Sequence, residues 1–175
     1  MRIIAGEFRS RRLESIPGDA TRPTADRVRE ALFNILQTRI SGSSFVDAYA
    51  GTGAVGIEAL SRGAAHAWFL ERDRRALDAI RKNLSLLGAE RRATVLAGKV
   101  LVTLERCPRD IVFLDPPYDN ASEYTGTLTI LGEKPPLLTI AQHSVHLPLK
   151  DAYGALHRTR TVRHGDNVLS FYAPE

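Results

Sequence analysis

Phe45-Val46-Asp47-Ala48-Tyr49-Ala50-Gly51-Thr52-Gly53-Ala54-Val55-Gly56-Ile57-Glu58-Ala59-Leu60 reads as a strand, a glycine-rich turn and the start of a helix. Phe45 to Ala50 is short, apolar and aromatic and runs up to a glycine, which predicts a buried strand. Gly51, Gly53 and Gly56 supply backbone freedom and let a ligand approach closely, while Ile57, Ala59 and Leu60 carry the chain into a helix. The spacing Gly51-x-Gly53-x-x-Gly56 fits a site for an adenine-containing cofactor, including a dinucleotide whose pyrophosphate rests on a helix N-terminus.

Asp47 narrows that choice. It lies inside the strand just before the glycines, where a pyrophosphate would gain nothing from a carboxylate. A cofactor with a cationic end suits the position better, and S-adenosylmethionine carries both a sulfonium and an ammonium group. Its single carboxylate can take the N–H donors of the loop. The next apolar run, Ala67-Trp68-Phe69-Leu70, finishes at Glu71, which is placed to accept both hydroxyls of a ribose. The bland alternatives are a helix-capping carboxylate for Asp47 and a solvated strand end for Glu71.

Working outward, strand and helix alternate, as expected of a parallel sheet with helices on both faces. The helix after the glycine loop stops at Gly63. The next, about Asp73 to Leu87 with a stripe at Leu77, Ile80, Leu84 and Leu87, stops at Gly88. Thr94 to Ala97 predicts a third strand, Val100 to Glu105 a short helix, and Ile111 to Leu114 a fourth strand. Leu137 to Gln142 reads as a further strand, and Leu156 to Val162 pairs with Val168 to Tyr172 across His164-Gly165-Asp166-Asn167. Upstream, Thr24 is the expected N-cap of a helix with Val28, Ala31, Leu32, Ile35 and Leu36 on one stripe and Arg27, Arg29 and Glu30 off it. Ser41-Gly42-Ser43-Ser44 ends that helix. Residues 1 to 16 predict a β-hairpin or a pair of extended segments closed by Pro17-Gly18, forming a basic arm over residues 1–20.

The 175 residues predict one domain, 1–175, and 43% hydrophobic with 25% charged content is ordinary for a soluble protein. No window approaches a membrane span, and the first residues have no convincing signal-peptide form, so a cytoplasmic protein is expected. The single cysteine, Cys107, excludes an intrachain disulfide, and the five histidines form no ligand cluster, so no metal is expected. The net charge of +4 gains meaning from its distribution. Arg2, Arg9, Arg11 and Arg12 oppose only Glu7, and Lys150, Arg158, Arg160 and Arg163 oppose only Asp151. Such clusters suit a polyanion or a solvated basic face.

The fourth strand leads into Asp115-Pro116-Pro117-Tyr118, which should face the glycine loop across a crevice at the strand ends. Two prolines remove N–H groups and stiffen the turn, leaving the Asp115 carboxylate and the Pro116 carbonyl as acceptors for the two hydrogens of an exocyclic amine. Tyr118 can stack on the ring. A rigid strand-ending loop with a packed tyrosine is the structural alternative.

TRPTADRVREALFNIL, VDAYAGTGAVGIEALSRGA, FLERD, FLDPPY and HGDNVLSFY, in that order, resemble the bacterial 16S rRNA guanine-N2 methyltransferase family usually called RsmD. The resemblance spans nearly the whole chain, including MRIIAG. DPPY occurs in many amino-methyltransferases, whereas the RPT-x-DRVREALFN block is much more specific. The resemblance implies a Rossmann-like class I methyltransferase fold, α/β with a mostly parallel seven-stranded sheet, an antiparallel C-terminal hairpin and an N-terminal β-arm. It implies S-adenosylmethionine on Asp47, Ala50, Gly51, Gly53, Glu71 and Arg72, with Gly98, Lys99 and Val100 around the adenine. It implies the target base on Asp115, Pro116 and Tyr118, with Arg22, Pro23, Thr24 and Arg27 beside the pocket, and rRNA on Arg2, Arg9, Arg11, Arg12 and Arg163. The implied partner is the small ribosomal subunit and the implied state a monomer. Two departures stand out: related enzymes often have an acidic residue where this chain has Lys99, and Glu-His where it has Gln142-His143. The rival readings are a DNA adenine or cytosine amino-methyltransferase and a non-catalytic ribosome-assembly protein.

Overall fold

The computed structural model describes residues 1–16, 23–117 and 120–175. Its frame is one eight-stranded sheet in the order β3-β2-β1-β4-β5-β8-β7-β6. Strands β1 (Ser44–Ala48), β2 (His66–Glu71), β3 (Ala93–Ala97), β4 (Ile111–Leu114) and β5 (Leu138–Ser144) run parallel to their neighbours among these five. Strands β6 (Ala152–Tyr153), β7 (Leu156–His164) and β8 (Asn167–Pro174) complete the sheet with antiparallel pairings. The mostly parallel sheet with an antiparallel C-terminal hairpin is therefore present. The two-residue β6 makes eight strands where seven were expected.

Central strands of a parallel sheet are covered on both faces and so read as continuous apolar runs. The Ile111–Leu114 strand, IVFL, is buried at every position. Val46, Ala48, Val112, Leu114 and Ala141 pack toward α4 (Val100–Thr103) and α5 (Ala121–Glu133). Phe45, Ile111, Phe113, Leu138 and Ile140 pack against α1 (Pro23–Leu36) on the opposite face. On that same side, α2 (Ala54–Ser61) and α3 (Arg74–Leu87) close over Phe69 together with the first residues of the chain.

Several local expectations hold. Asp73 caps α3 by accepting the Ala76 N–H at 3.0 Å, and Gly88 ends it with φ 64°. Others are corrected by packing. Helix α1 begins at Pro23, whose fixed φ suits a first turn, so Thr24 lies inside the helix rather than capping it. Its buried stripe is Val28, Leu32, Phe33 and Leu36, and Arg29, expected off the stripe, is only 5% exposed. Strand β1 ends at Ala48, two residues short of Ala50, because Tyr49 turns the chain with φ 66°. The stretch between Tyr118 and Pro135, short and given no element from the sequence, contains the thirteen-residue helix α5. Its Thr and Gly residues have weak intrinsic helix preference, and burial of Tyr124, Leu128 and Leu131 makes up for it.

The expected N-terminal arm is instead a strap laid on the body. Arg2 and Arg12 form a single bridge, with Ile3 N donating to the Arg11 carbonyl at 3.0 Å and Leu13 N to the Met1 carbonyl at 3.0 Å. The reversal falls between them, at Gly6 to Ser10; the expected closure at Pro17-Gly18 lies outside the described residues. Ile3, Phe8 and Leu13 are buried against α2 and α3. The helices also supply polar anchors: Glu58 accepts Ile4 N at 2.9 Å and Ala5 N at 3.1 Å, and Ser61 Oγ accepts Phe8 N at 2.9 Å.

Helix α2 lies so close to β2 that a Cβ on Gly56 would stand 2.4 Å from Cε1 of the fully buried Phe69. Gly56→Ala is therefore expected to destabilise the fold by about 1–3 kcal/mol, the usual cost of overpacking. Urea denaturation checks this; an unchanged midpoint would mean that the Phe69 ring has room to move. Among the described residues, no helix is long and apolar enough to cross a membrane.

Candidate active site

A cavity of about 430 Å³ opens at the carboxyl ends of β1, β2 and β4. Asp47, Ala50, Gly51, Glu71, Arg72, Gly98, Lys99, Val100, Asp115 and Pro116, all singled out from the sequence, line it together. Gly53 does not. It stands behind the loop with φ 79°, where a Cβ would meet Ile80 and Phe69 at 3.2 Å, and it serves the turn into α2. Tyr118 and Arg22 fall outside the described residues, and of Pro23 and Thr24 only the helical backbone is described.

The glycine loop is held by carboxylates from neighbouring strands. Gly53, at the N-cap of α2, has no side chain to satisfy the first turn of the helix. Asp47 does so from β1, its Oδ2 accepting the Gly56 N–H at 2.8 Å. The helix-capping alternative for Asp47 is thus realised, and the residue also lines the cavity. Glu71 is similarly engaged: Oε2 accepts Gly51 N at 2.9 Å, and Oε1 accepts Arg72 N at 2.7 Å and Asp73 N at 2.9 Å. A carboxylate offers about four lone-pair sites, so a ribose diol at Glu71 would have to share or exchange these amides.

The electrostatics favour a cation. Burial holds the Asp47 carboxyl well above the usual carboxylate range, the Gly56 N–H opposes this, and the Asp115 and Glu71 charges add to it. Burial likewise pushes Asp115 up to about 7. Glu123, from α5, lines the same cavity. A group of carboxylates that repel one another in a desolvated space is relieved by a positively charged ligand. Lys99 is exposed at the rim and caps no helix end with its side chain.

Sequence reasoning gave no part to Tyr49, Glu123 or Thr127 and did not pair Gln142 with Asp115. Tyr49 sits in the left-handed region, which costs a bulky residue about 1–2 kcal/mol. Its hydroxyl meets Glu123 Oε2 and Thr127 Oγ1, each at 2.7 Å, which ties the start of the glycine loop to α5. Burial, reinforced by Glu123, raises the Tyr49 phenol above its ordinary range and keeps it a donor. Gln142 Nε2 donates to Asp115 Oδ2 at 3.2 Å. None of these pairings leaves a local signal, since each joins residues 27 or more positions apart.

Among the described residues, the arginines expected to meet RNA lie away from the cavity lining. Arg2, Arg9, Arg11 and Arg12 are exposed on the strap, Arg2 donating to the Ser10 carbonyl and Arg11 to the Leu86 carbonyl. Arg27 is exposed on α1. Arg160 and Arg163 are exposed on β7, whose outer edge pairs with β6 only at His157 and Leu156. Arg158 leaves the set: it stacks on the Tyr172 ring and donates to the Leu149 and Lys150 carbonyls. The strap packs near β2 while β7 lies toward the far end of the strand order, so the two basic clusters form separate patches.

Comparison with known proteins bears on this arrangement. The profile of the family described as Conserved hypothetical protein 95 matches residues 1–173. YlbH of Bacillus subtilis (strain 168) is 33% identical over 181 aligned positions, covering 98% of both chains. Ribosomal RNA small subunit methyltransferase D of Escherichia coli (strain K12) is 42% identical over 119 positions, 67% of this chain and 60% of that one. The solved structure of yhhF from Escherichia coli superposes with a TM-score of 0.87 at 33% identity, covering 100% of this chain and 98% of that one. The fold is accordingly the Rossmann-like methyltransferase fold, and the chain belongs to the Conserved hypothetical protein 95 family, the RsmD methyltransferases that its sequence motifs resemble.

Proposed function

We propose that this protein transfers a methyl group from S-adenosylmethionine to the exocyclic N2 amine of a guanine in 16S rRNA, with the assembled small subunit as substrate. The observation that carries the reading is the Asp115-Pro116 pair opening into the same cavity as Asp47 and the Gly51 loop. The similarity to a small-subunit rRNA methyltransferase supports the polymer, and the RPT-x-DRVREALFN block supports the guanine amine.

The cavity fits the cofactor in charge and size. Its buried carboxylates call for a cation, and about 430 Å³ lies within the range of small-molecule sites, roughly 300–1,000 Å³. Asp47, Glu71 and the Ala50-Gly51 backbone would hold it, with Gly98, Lys99 and Val100 along one wall. When bound it supplies an electrophilic methyl group on a sulfonium. Asp115 and the Pro116 carbonyl accept the two hydrogens of the target amine. That contact orients the nitrogen lone pair and favours the positive charge that develops on it, an interaction realised mainly in the transition state. The base must leave its stack to reach the pocket. Arg160 and Arg163 on β7 and the arginines of the strap bind phosphates on either side.

The test is transfer of labelled methyl to small subunits, naked rRNA and duplex DNA in parallel, followed by nucleoside identification. N2-methylguanosine from the ribosomal substrate is the expected product. Methyladenine or methylcytosine from DNA would replace this reading with a DNA amino-methyltransferase, and binding without transfer would replace it with an assembly factor.

Phosphate contacts also predict a salt slope. The double variant Arg160→Ala/Arg163→Ala is expected to weaken rRNA binding and to flatten the log–log salt dependence by about one to two. A slope identical to that of the parent would move the RNA off β7.

A further inference from the structure

The Gln142 side chain meets Asp115, and the site as described so far gives that contact no task. Strands β4 and β5 are in register with Leu114 opposite Ala141, so the next residues, Asp115 just past the end of β4 and Gln142 still within β5, lie side by side. The Gln142 backbone is fixed from two directions. It pairs with Leu169 of β8, and its carbonyl accepts the Tyr124 hydroxyl of α5 at 2.7 Å. From this anchored position its side-chain amide donates to Asp115 Oδ2 at 3.2 Å. Among the described residues, Oδ1 of Asp115 accepts no hydrogen bond and stays available to the cavity that Asp115 lines.

We propose that Gln142 is a positioning residue for methyl transfer, its amide holding one oxygen of Asp115 so that the other faces the target amine. The inference rests on the reading of Asp115 as the acceptor of that amine.

The chemistry favours an amide at this place. The charged groups that line the cavity with Asp115 are Asp47 from β1, Glu71 from β2, Glu123 from α5, and Arg72 and Lys99 from the loops beyond β2 and β3. Another carboxylate would add to the repulsion already present, whereas a neutral amide donates a hydrogen bond without adding charge. His143 does not take part. Alternation along β5 sends it to the other face, where its Nε2 meets Ser170 Oγ at 2.8 Å and its Nδ1 the Ser144 carbonyl at 2.9 Å. The bond from Gln142 serves ionised Asp115 best, so its loss disfavours the ionised form. The sign follows: without Gln142, Asp115 ionises at higher pH.

Two measurements test this on the full-length protein. The first is a carbon NMR titration of labelled aspartate carboxyls, with Asp115 assigned through Asp115→Asn, in the parent, Gln142→Leu and Gln142→Glu. The second is single-turnover methyl transfer to the small subunit over the same pH range. Gln142→Leu is expected to raise the Asp115 midpoint by about half a unit, and Gln142→Glu by more. Transfer on the acidic side then falls about threefold for each half unit and recovers on the alkaline side. An Asp115 midpoint that stays in place in both variants, or a loss of rate uniform across pH, overturns the role of Gln142 alone. A midpoint that moves while transfer survives Asp115→Ala leaves the hydrogen bond standing and overturns the reading of Asp115.

Discussion

Asp115→Ala is expected to cut single-turnover methyl transfer by a factor on the order of 10²–10³ or more, while S-adenosylmethionine binding is largely kept. On the proposed reading the loss is large because the carboxylate acts on the reacting nitrogen, accepting a hydrogen from the target amine with its charge beside the positive charge that grows there as the new bond forms. The two residues that follow it, Pro116 and Pro117, carry no carboxylate to replace it. Cofactor binding survives because Asp47 and Glu71, on β1 and β2, keep their hydrogen bonds to Gly56 and Gly51. Removing Asp115 also takes away one of the charges that raise Asp47, so Asp47 ionises more readily. Calorimetry with the cofactor separates the two effects, and normal turnover in the variant would sink the mechanism. The parent should also show an acidic limb. Burial places Asp115 at about 7, so transfer rises as pH climbs through that value and the carboxylate ionises. The limb should vanish from any residual activity of Asp115→Asn.

The second large effect concerns stability. Glu58, fully buried on α2, is held by Ile4 N, Ala5 N and Arg62 Nε, the last at 2.8 Å, and lies 3.8 Å from Arg29 Nε. Arg29 also reaches the Arg2 carbonyl at 2.7 Å and Asp26 at 3.2 Å, so one buried cluster joins α1, α2 and the strap. Burial already lowers the pKa of Arg29, with Glu58 the first of the charges that oppose the shift. Glu58→Ala leaves that guanidinium without its buried counter-charge and two strap amides without acceptors. Breaking a buried pair from one side costs about 3–5 kcal/mol, a large share of a typical total of about 5–15 kcal/mol. Urea denaturation near neutral pH should show this loss, and hydrogen exchange at Ile4 and Ala5 should accelerate. A change below about 1 kcal/mol would mean that water reaches the cluster.

How much of this was legible beforehand depends on how local each signal is. IVFL could be read as a doubly covered strand because every residue in it is apolar, and Asp73 with Gly88 bounded α3 because caps act within one helical turn. Arg29 was misread because a charge on a helix is usually solvated, and its burial is decided by Glu58, 29 positions away. Helix α5 was missed for the complementary reason: its local preference is weak, and contacts with the sheet override it. The strap was taken for an arm because extended, basic sequence looks alike whether it projects or docks. What distinguishes the two is Ile3, Phe8 and Leu13 meeting the surface of α2 and α3.

The same division runs through the active site. The amino-acid sequence by itself determined the alternation of strand and helix, the glycine turn after an acidic strand, and a second acceptor-rich turn at Asp115-Pro116. Each of these depends on side-chain periodicity or on the backbone limits of glycine and proline, which act over a few residues. The tertiary structure alone decided that Asp47 also caps α2, that Glu71 is engaged by three amides, that Tyr49 is tied to Glu123, and that Gln142 holds Asp115. The longest-range of these contacts, Glu71 to Gly51, Tyr49 to Glu123 and Gln142 to Asp115, depend on which elements neighbour which. That order arises from burying several apolar faces at once, and no short window of sequence contains it.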